Sequence, residues 1–224
     1  MRPWTLLGTA TVPGGGAALR LMQRGDEFVI MAGTNPLMNN RMSGSEEELA
    51  TRSWARIAGR ANAHILIGGL GMGFTLRAAL AEMPADARIT VAEIVPEIVD
   101  WARGPLTPIF AGSLDDPRVA IEVADVVAVI GKAKARYDAI LLDVDNGPEG
   151  LSRDGNDRLY SLAGLGKARA ALRPGGVLAV WSAHPDAKFA ARLASAGFRA
   201  EEIGTRARHG GKGARHTIWL ATPR

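Results

Sequence analysis

The stretch ILIGGLGMGF, residues 65–74, decides the fold, because it joins a short apolar run directly to a loop of alternating glycines. The run His64–Gly68 predicts a buried strand, and residues 75–83 predict the helix that follows the loop. Glycines at such a turn leave backbone amides open to a ligand at the helix N-terminus. A dinucleotide fingerprint would need a glycine where this chain has Phe74, so a pyrophosphate cofactor is disfavoured. The loop therefore predicts a ligand site, with a merely tight strand-to-helix turn as the alternative.

Further along the chain, apolar runs alternate with helical stretches. Helices are predicted near residues 96–103, 126–134, 157–173 and 186–196, and strands at Arg88–Ile94, Val119–Val123, Ala139–Val144 and Gly176–Trp181. Strands that are apolar on both faces and alternate with helices indicate an α/β fold with a mostly parallel, doubly wound sheet. Residues 199–203 and 217–221 predict a closing pair of strands.

The first 60 residues follow a different pattern. Residues 4–12 and 17–33 predict β-structure with a turn at residues 24–26, and residues 36–44 predict a loop. Ser45 and the three glutamates after it predict a helix start, with Ser45 as the cap and the helix running to about Arg60. We therefore expect a β-rich annex with one helix at residues 1–60 and a Rossmann-like nucleoside-binding domain at residues 61–224.

The composition excludes several classes of protein. The 224 residues are 47% hydrophobic and 22% charged, as in an ordinary globular chain. The absence of cysteine removes disulfides, cysteine-bound metals and thiol nucleophiles, and the four histidines are scattered, so no metal is expected. No apolar run is long enough to cross a membrane and no signal-peptide core is present, which predicts a cytoplasmic protein.

The net charge is +4 and the pI is about 9.8, which raises nucleic acid as a partner. Most basic residues are dispersed along the sequence. Only residues 206–216 form a basic cluster, and this cluster also contains three glycines. We therefore do not expect a nucleic-acid partner. The basic segment is either a mobile hairpin tip or a cover over the site.

Acidic side chains end three successive strands at the edge where ligands bind in such sheets. Glu93 stands where α/β folds hydrogen-bond a ribose diol, or it is a solvated strand end. Asp125 could accept a hydrogen bond from an adenine amino group, although alone it reads as a helix cap. Asp143, Asp145 and Asn146 could hold a cation or deprotonate a nucleophile, and the alternative for them is a turn.

Several stretches in this order resemble the spermidine synthase (polyamine aminopropyltransferase-like) group of the class I S-adenosylmethionine-dependent methyltransferase fold: GLGMGFTLRAAL, ITVAEIVPEIVDWAR, SLDDPRVAIEVAD, YDAILLDVDNGPEG and ARAALRPGGVLAV. The resemblance implies a seven-stranded-type sheet, a small N-terminal β domain and a homodimer. It places Gly69, Gly71 and Gly73 under the amino-acid end of the cofactor, Glu93 on its ribose and Asp125 on its adenine. It makes Asp143 the base.

The departures from the group concern contacts to a cationic substrate. Met72, which the resemblance makes a candidate cofactor contact, stands where the group has an acid that neutralises the aminopropyl ammonium. The group's second strand-end acid falls on Asn146. The group's Tyr-His-Glu, which grips the polyamine, corresponds to residues 49–51, Leu-Ala-Thr. Asn40 corresponds to an amide that the group places shortly before the first helix and is a candidate substrate contact.

The sequence therefore predicts a transferase that alkylates a small-molecule acceptor with S-adenosylmethionine or its decarboxylated form. Asp143 would be the base, and Asp145 and Asn146 would orient the acceptor. Methyl transfer is slightly preferred to polyamine aminopropyl transfer, because anionic contacts are lost. A cofactor-binding protein without activity is a further alternative, and RNA modification rests only on the basic segment.

Overall fold

The computed structural model describes residues 2–144, 148 and 158–224. Its N-terminal part is a four-stranded antiparallel sheet in the order β1-β2-β3-β4. The strands are β1 Thr5–Ala10, β2 Leu19–Arg24, β3 Glu27–Ala32 and β4 Asn35–Asn39. The prediction of a loop from residue 36 was wrong, because Asn35–Asn39 pairs with β3. Pro36 cannot donate to a neighbouring strand, and it is tolerated because β4 lies at the edge of the sheet.

The second sheet has seven strands in the order β10-β11-β9-β8-β5-β6-β7. They are β5 His64–Gly68, β6 Arg88–Glu93, β7 Val119–Val123, β8 Tyr137–Leu142, β9 Leu172–Ser182, β10 Phe198–Arg208 and β11 Lys212–Pro223. Neighbours among β5 to β9 are parallel, whereas β11 is antiparallel to both β9 and β10. The predicted α/β fold with a mostly parallel seven-stranded sheet and a separate N-terminal β-sheet is confirmed.

Helices cover both faces of this sheet. They are α1 Gly44–Ile57, α2 Phe74–Glu82, α3 Pro96–Arg103, α4 Thr107–Phe110, α5 Val126–Lys132, α6 Leu162–Ala171 and α7 Ala187–Ser195. Apolar residues of α1, α2, α3 and the N-terminal sheet pack against one face of the large sheet. Those of α5, α6 and α7 pack against the other face. Within the described residues, none of these helices combines the length and apolar character that a membrane crossing requires.

The start of α1 differs from the prediction. The helix begins at Gly44, so the residue in the capping position is Ser43, whose side chain makes no capping hydrogen bond. Ser45 lies inside the helix and is buried, and the helix ends at Ile57 instead of Arg60. The helix packs on α2, β9 and β10. A domain boundary near residue 60 stays a prediction.

The closing strands are longer than the sequence predicted. Only residues 217–221 of β11 pair with β9, and the pairing with β10 continues to Arg208 and Lys212. The hairpin therefore reaches past the carboxyl end of β9, and the basic segment 206–216 forms its overhanging tip. Polar and basic residues build this overhang, so the sequence showed no strand pattern there.

Candidate active site

The glycine loop lies between β5 and α2 and is shaped by its neighbours. Gly69, Gly71 and Gly73 all have positive φ, at 91°, 51° and 76°. A Cβ atom on Gly69 would collide with the carbonyl oxygen of Asp143, and one on Gly73 would collide with the ring of Phe110. The loop therefore runs directly along the backbone that follows β8 and presents no side chain at its glycines. Such a bare backbone next to the start of a helix fits the amino-acid end of a nucleoside cofactor.

Met72 turns into the protein. Its side chain is buried in the same apolar cluster as Leu70 and Phe74. Above the loop, Met38 of β4 approaches Gly71, since a Cβ atom there would lie 3.2 Å from the Met38 sulfur. The position that carries an acid in the spermidine synthase group thus offers no charge here, and a cofactor contact by Met72 stays a prediction.

Glu93 ends β6 and holds the glycine loop. Its side chain is 5% exposed, and its two oxygens accept hydrogen bonds from the backbone N–H groups of Leu70 and Val95, both at 2.9 Å. Burial raises the pKa of Glu93 above its ordinary value, although these N–H groups act in the opposite direction. Each carboxylate oxygen has a second lone pair. A ribose contact by Glu93 stays a prediction. The hydrogen bond to Leu70 shows that Glu93 also fixes the conformation of the glycine loop.

Two other predicted residues make hydrogen bonds within the protein. Asp125 is exposed and caps α5 by accepting from the N–H of Val127 at 2.8 Å. Asn40 accepts from the N–H of Phe28 and donates to the carbonyl of Asp26. Their roles toward adenine and acceptor stay predictions. Asp145 and Asn146 lie outside the described residues.

Asp143 directly follows β8, the neighbour of β5 in the centre of the sheet. Its N–H donates to the carbonyl of Gly68 at 3.0 Å, which fixes the strand end beside the glycine loop. Its Oδ2 accepts a hydrogen bond from the Thr75 hydroxyl of α2 at 2.7 Å. Burial raises the pKa of Asp143 to about 6, against the effect of Thr75. This carboxyl group can therefore change its protonation state near neutral pH.

Glu46, in the first turn of α1, is the residue that the sequence analysis missed. Burial and the negative charge of Asp143 raise its pKa to about 7. The Thr75 hydroxyl also lies 3.4 Å from the Glu46 carbonyl, which ties α1 to α2. Among residues 2–144, 148 and 158–224, no cationic side chain forms an ion pair with either Glu46 or Asp143. Two interacting acids share one site.

A serine and a histidine extend this pair toward the hairpin. The Ser45 hydroxyl lies 2.6 Å from Oε2 of Glu46 and 2.8 Å from Nδ1 of His216 on β11. The His216 ring meets Trp181 edge to face at 4.8 Å between ring centroids. Burial, and then the charge of His184, lower the pKa of His216. The sequence could not show this row, because Ser45 and His216 are 171 positions apart.

The comparisons with known proteins agree with this geometry. A model of the spermine/spermidine synthase domain matches residues 53–190. The chain belongs to the spermine/spermidine synthase domain family. The resemblance inferred from the sequence is confirmed, and the family includes aminopropyltransferases and putrescine N-methyltransferases, which are enzymes.

Two curated relatives represent both reactions. The chain is 37% identical over 115 residues to putrescine N-methyltransferase 2 of Nicotiana attenuata, which covers 51% of this chain and 29% of that protein. It is 32% identical over 124 residues to the polyamine aminopropyltransferase of Mycobacterium tuberculosis, which covers 54% of this chain and 23% of that one. The match thus spans less than a third of these relatives.

The solved structures share the fold. The spermidine synthase from Thermotoga maritima superposes with a TM-score of 0.76 at 18% identity, over 96% of this chain and 72% of that one. Other structures of similar fold hold SAH or the transition-state analogue AdoDATO. Within the described part of this chain, no group of three or more His, Asp or Glu side chains is arranged to hold a metal ion.

Proposed function

We propose that this member of the spermine/spermidine synthase domain family transfers an alkyl group from S-adenosylmethionine, or its decarboxylated form, to an amine of a small acceptor. The observation that carries the proposal is the acid pair Asp143 and Glu46, which lies beside a bare glycine loop at the centre of the sheet. Acids without a cationic partner attract an ammonium group and can take its proton. Both reactions known among the relatives alkylate amines.

The chain's own residues would align the acceptor and remove a proton. When bound, the donor supplies a carbon whose bond to sulfur breaks as the amine nitrogen bonds to it. The loop Gly69–Gly73 would hold the amino-acid end of the donor, and Glu93 would bind the ribose. Asp143 would accept the proton that the nitrogen loses, and Thr75 keeps this carboxylate oriented by its hydrogen bond at 2.7 Å. A fixed base and a fixed acceptor replace a bimolecular encounter. Asp125, Asp145, Asn146 and Asn40 remain proposed contacts, and a homodimer remains a proposed assembly.

Methyl transfer is preferred, and aminopropyl transfer is the second candidate. Decarboxylated S-adenosylmethionine ends in an ammonium group, and the buried Met72 offers it no anion. The specific observation in favour of the second candidate is the same acid pair, since Glu46 supplies an acid that the sequence comparison had not placed at the site.

Product analysis tests the proposal. The purified chain is incubated with either donor and a panel of small amines that includes putrescine, and products are identified by mass spectrometry. We expect a methylated amine and S-adenosylhomocysteine from S-adenosylmethionine. An aminopropylated amine and methylthioadenosine would support the second candidate instead. Donor binding without product from any amine would favour the alternative of a non-catalytic binding protein.

A further inference from the structure

Asp143, Glu46, Ser45 and His216 follow one another in a row, which continues beyond the residues that a transferase needs for alignment. We propose that Glu46, Ser45 and His216 form a proton relay that delivers to solvent the equivalent of the proton that Asp143 takes from the acceptor. The inference rests on the proposed function for its purpose, but its geometry stands on the two short contacts of Ser45. In this view Glu46, Ser45 and His216 are positioning residues that act through Asp143.

The Ser45 hydroxyl can pass a proton because it donates one hydrogen bond and accepts others. When Glu46 is ionised, Ser45 donates to it and accepts from the Nδ1–H of His216. When Glu46 is protonated, Glu46 donates to Ser45, which then donates to an unprotonated Nδ1, so the ring proton is on Nε2. Moving one proton along the row therefore changes the tautomer of His216. The contacts of 2.6 and 2.8 Å suit both arrangements.

Electrostatic repulsion couples the relay to the base. Two neighbouring carboxyl groups resist ionising together, so one proton is shared between them near neutral pH. When Asp143 takes a proton from the acceptor amine, the repulsion falls and Glu46 becomes the stronger acid. Glu46 then releases its proton to Ser45, the Ser45 proton passes to Nδ1 of His216, and the Nε2 proton leaves to water. One proton enters the row and one leaves it, and no other bond changes.

The groups around His216 fit this path. Glu47 of α1 adds negative charge beside Glu46, and His184 lies close enough to lower the pKa of His216. The lowered pKa favours the neutral ring, which can accept a proton, and the half-buried position of His216 leaves it access to water. Arg215 is the residue next to it in β11 and points to the opposite face of the hairpin, because strand side chains alternate.

Nitrogen-15 NMR of the His216 side chain tests the relay without any need for turnover. In the protein without ligand, we expect the ring to change from the Nε2–H to the Nδ1–H tautomer as the pH rises through about 7, where Glu46 ionises. Glu46→Gln removes the titrating group and should abolish the change. Glu48→Gln, on the same helix but paired with Arg52, should keep it. One tautomer across the whole neutral range, or an unaltered change in Glu46→Gln, would overturn the proposal.

Kinetics then separate the relay from a structural role. In His216→Asn and Ser45→Ala, we expect kcat to fall about tenfold, less than the ~10²–10⁴ of a base itself, with an unchanged KM for the donor. Added imidazole should restore part of the rate of His216→Asn. Arg215→Ala, next to His216 but on the opposite face of the hairpin, is the matched control and should keep its kcat. Equal losses in kcat and donor affinity, without rescue, would indicate a structural role only. A chain that makes no product would refute the proposed function, while the tautomer measurement still decides the relay.

Discussion

An aspartate lies near each end of β8, and the two have opposite electrostatic surroundings. Near its start, Asp138 has a side chain that is 3% exposed, and it forms ion pairs with Arg60 and Arg173, both at 2.8 Å. The backbone N–H of His64 adds a third hydrogen bond. Just beyond the other end, Asp143 has a hydroxyl and an acid for neighbours. Among the described residues, two arginines thus neutralise the aspartate at the amino edge of the sheet, whereas no cation pairs with the one at the carboxyl edge.

The pKa values follow from this difference. Burial alone would raise the pKa of Asp138, but the His64 amide and the two guanidinium groups outweigh it, so its pKa lies below the ordinary value. At the carboxyl edge the described residues oppose burial only by hydrogen bonds, such as those of Thr75 and Ser45, and the pKa of Asp143 is about 6 and that of Glu46 about 7. Stable folding explains the first arrangement. The second costs stability, and its raised pKa values suit the proposed proton transfer.

The largest expected effect is on kcat, and it appears when the same substitution is made at each of the two aspartates. Asp143→Asn should reduce kcat by about 10²–10⁴-fold and leave donor binding intact, because it removes the proposed base and keeps the shape of the side chain. Asp138→Asn, on the same strand, should keep kcat at temperatures where it is folded. Steady-state rates and calorimetry with S-adenosylmethionine measure both. Full activity of Asp143→Asn would show that Asp143 only terminates β8.

Asp138→Asn should instead lower the free energy of unfolding by about 2–3 kcal/mol at pH 7. Removing one partner from a buried ion pair costs ~3–5 kcal/mol, and the value is smaller here because Arg60 and Arg173 are partly exposed, at 31% and 41%. The folded-state pKa of Asp138 is lowered, so its contribution is present above the unfolded pKa of about 4 and disappears as the pH falls through the folded value. Urea unfolding at several pH values would contradict this if the difference between the two proteins stayed constant.

Glu46→Gln should change the free energy of unfolding in the opposite direction and stabilise the protein. The folded-state pKa of Glu46 is raised from 4.5 to about 7, so the folded protein is penalised as the pH rises through that range. At pH 8 the amide should stabilise the chain by about 1–3 kcal/mol, since one pKa unit corresponds to about 1.4 kcal/mol. Near pH 4 the gain should vanish. Melting curves of Glu46→Gln and Glu48→Gln check this, and equal shifts in both variants would remove the special position of Glu46.

The contrast between the two ends of β8 also explains what the sequence could reveal. The strands of the large sheet were predictable, because strands that are buried on both faces have continuous apolar sequences such as HILIG and AILL. The acids at the strand ends were predictable in place, because a parallel sheet brings its carboxyl ends together. Their pKa values were not, since those depend on which charges other elements bring near.

Glu46 and His216 illustrate that limit. A serine followed by glutamates is the usual start of a helix, so the sequence predicts a cap at Ser45 and a favourable charge at Glu46. His216 was grouped with the basic residues around it. The packing of α1 against the β10–β11 hairpin brings Ser45, Glu46 and His216 into contact instead. No local sequence pattern encodes a contact between residues so far apart in the chain. The same holds for the overhang of the hairpin, whose two strands pair through the backbone with few apolar residues.

The smallest expected effect compares two parts of the carboxyl edge itself, its acids and the start of α2. In the proposed function the acceptor amine would react beside the acids, whereas the loop at Met72 has no anion and leads into the positive end of a helix. An unpaired ammonium is costly in such a place, and a carboxylate is favoured. We therefore expect S-adenosylmethionine to bind more tightly than its decarboxylated form by about 1 kcal/mol, the upper part of the range for an exposed helix end. Calorimetry with both donors on one preparation measures the difference, and Met72→Asp should reduce or invert it. If the decarboxylated form binds more tightly to the native chain and putrescine is converted in its presence, polyamine synthesis replaces methyl transfer as the proposed function.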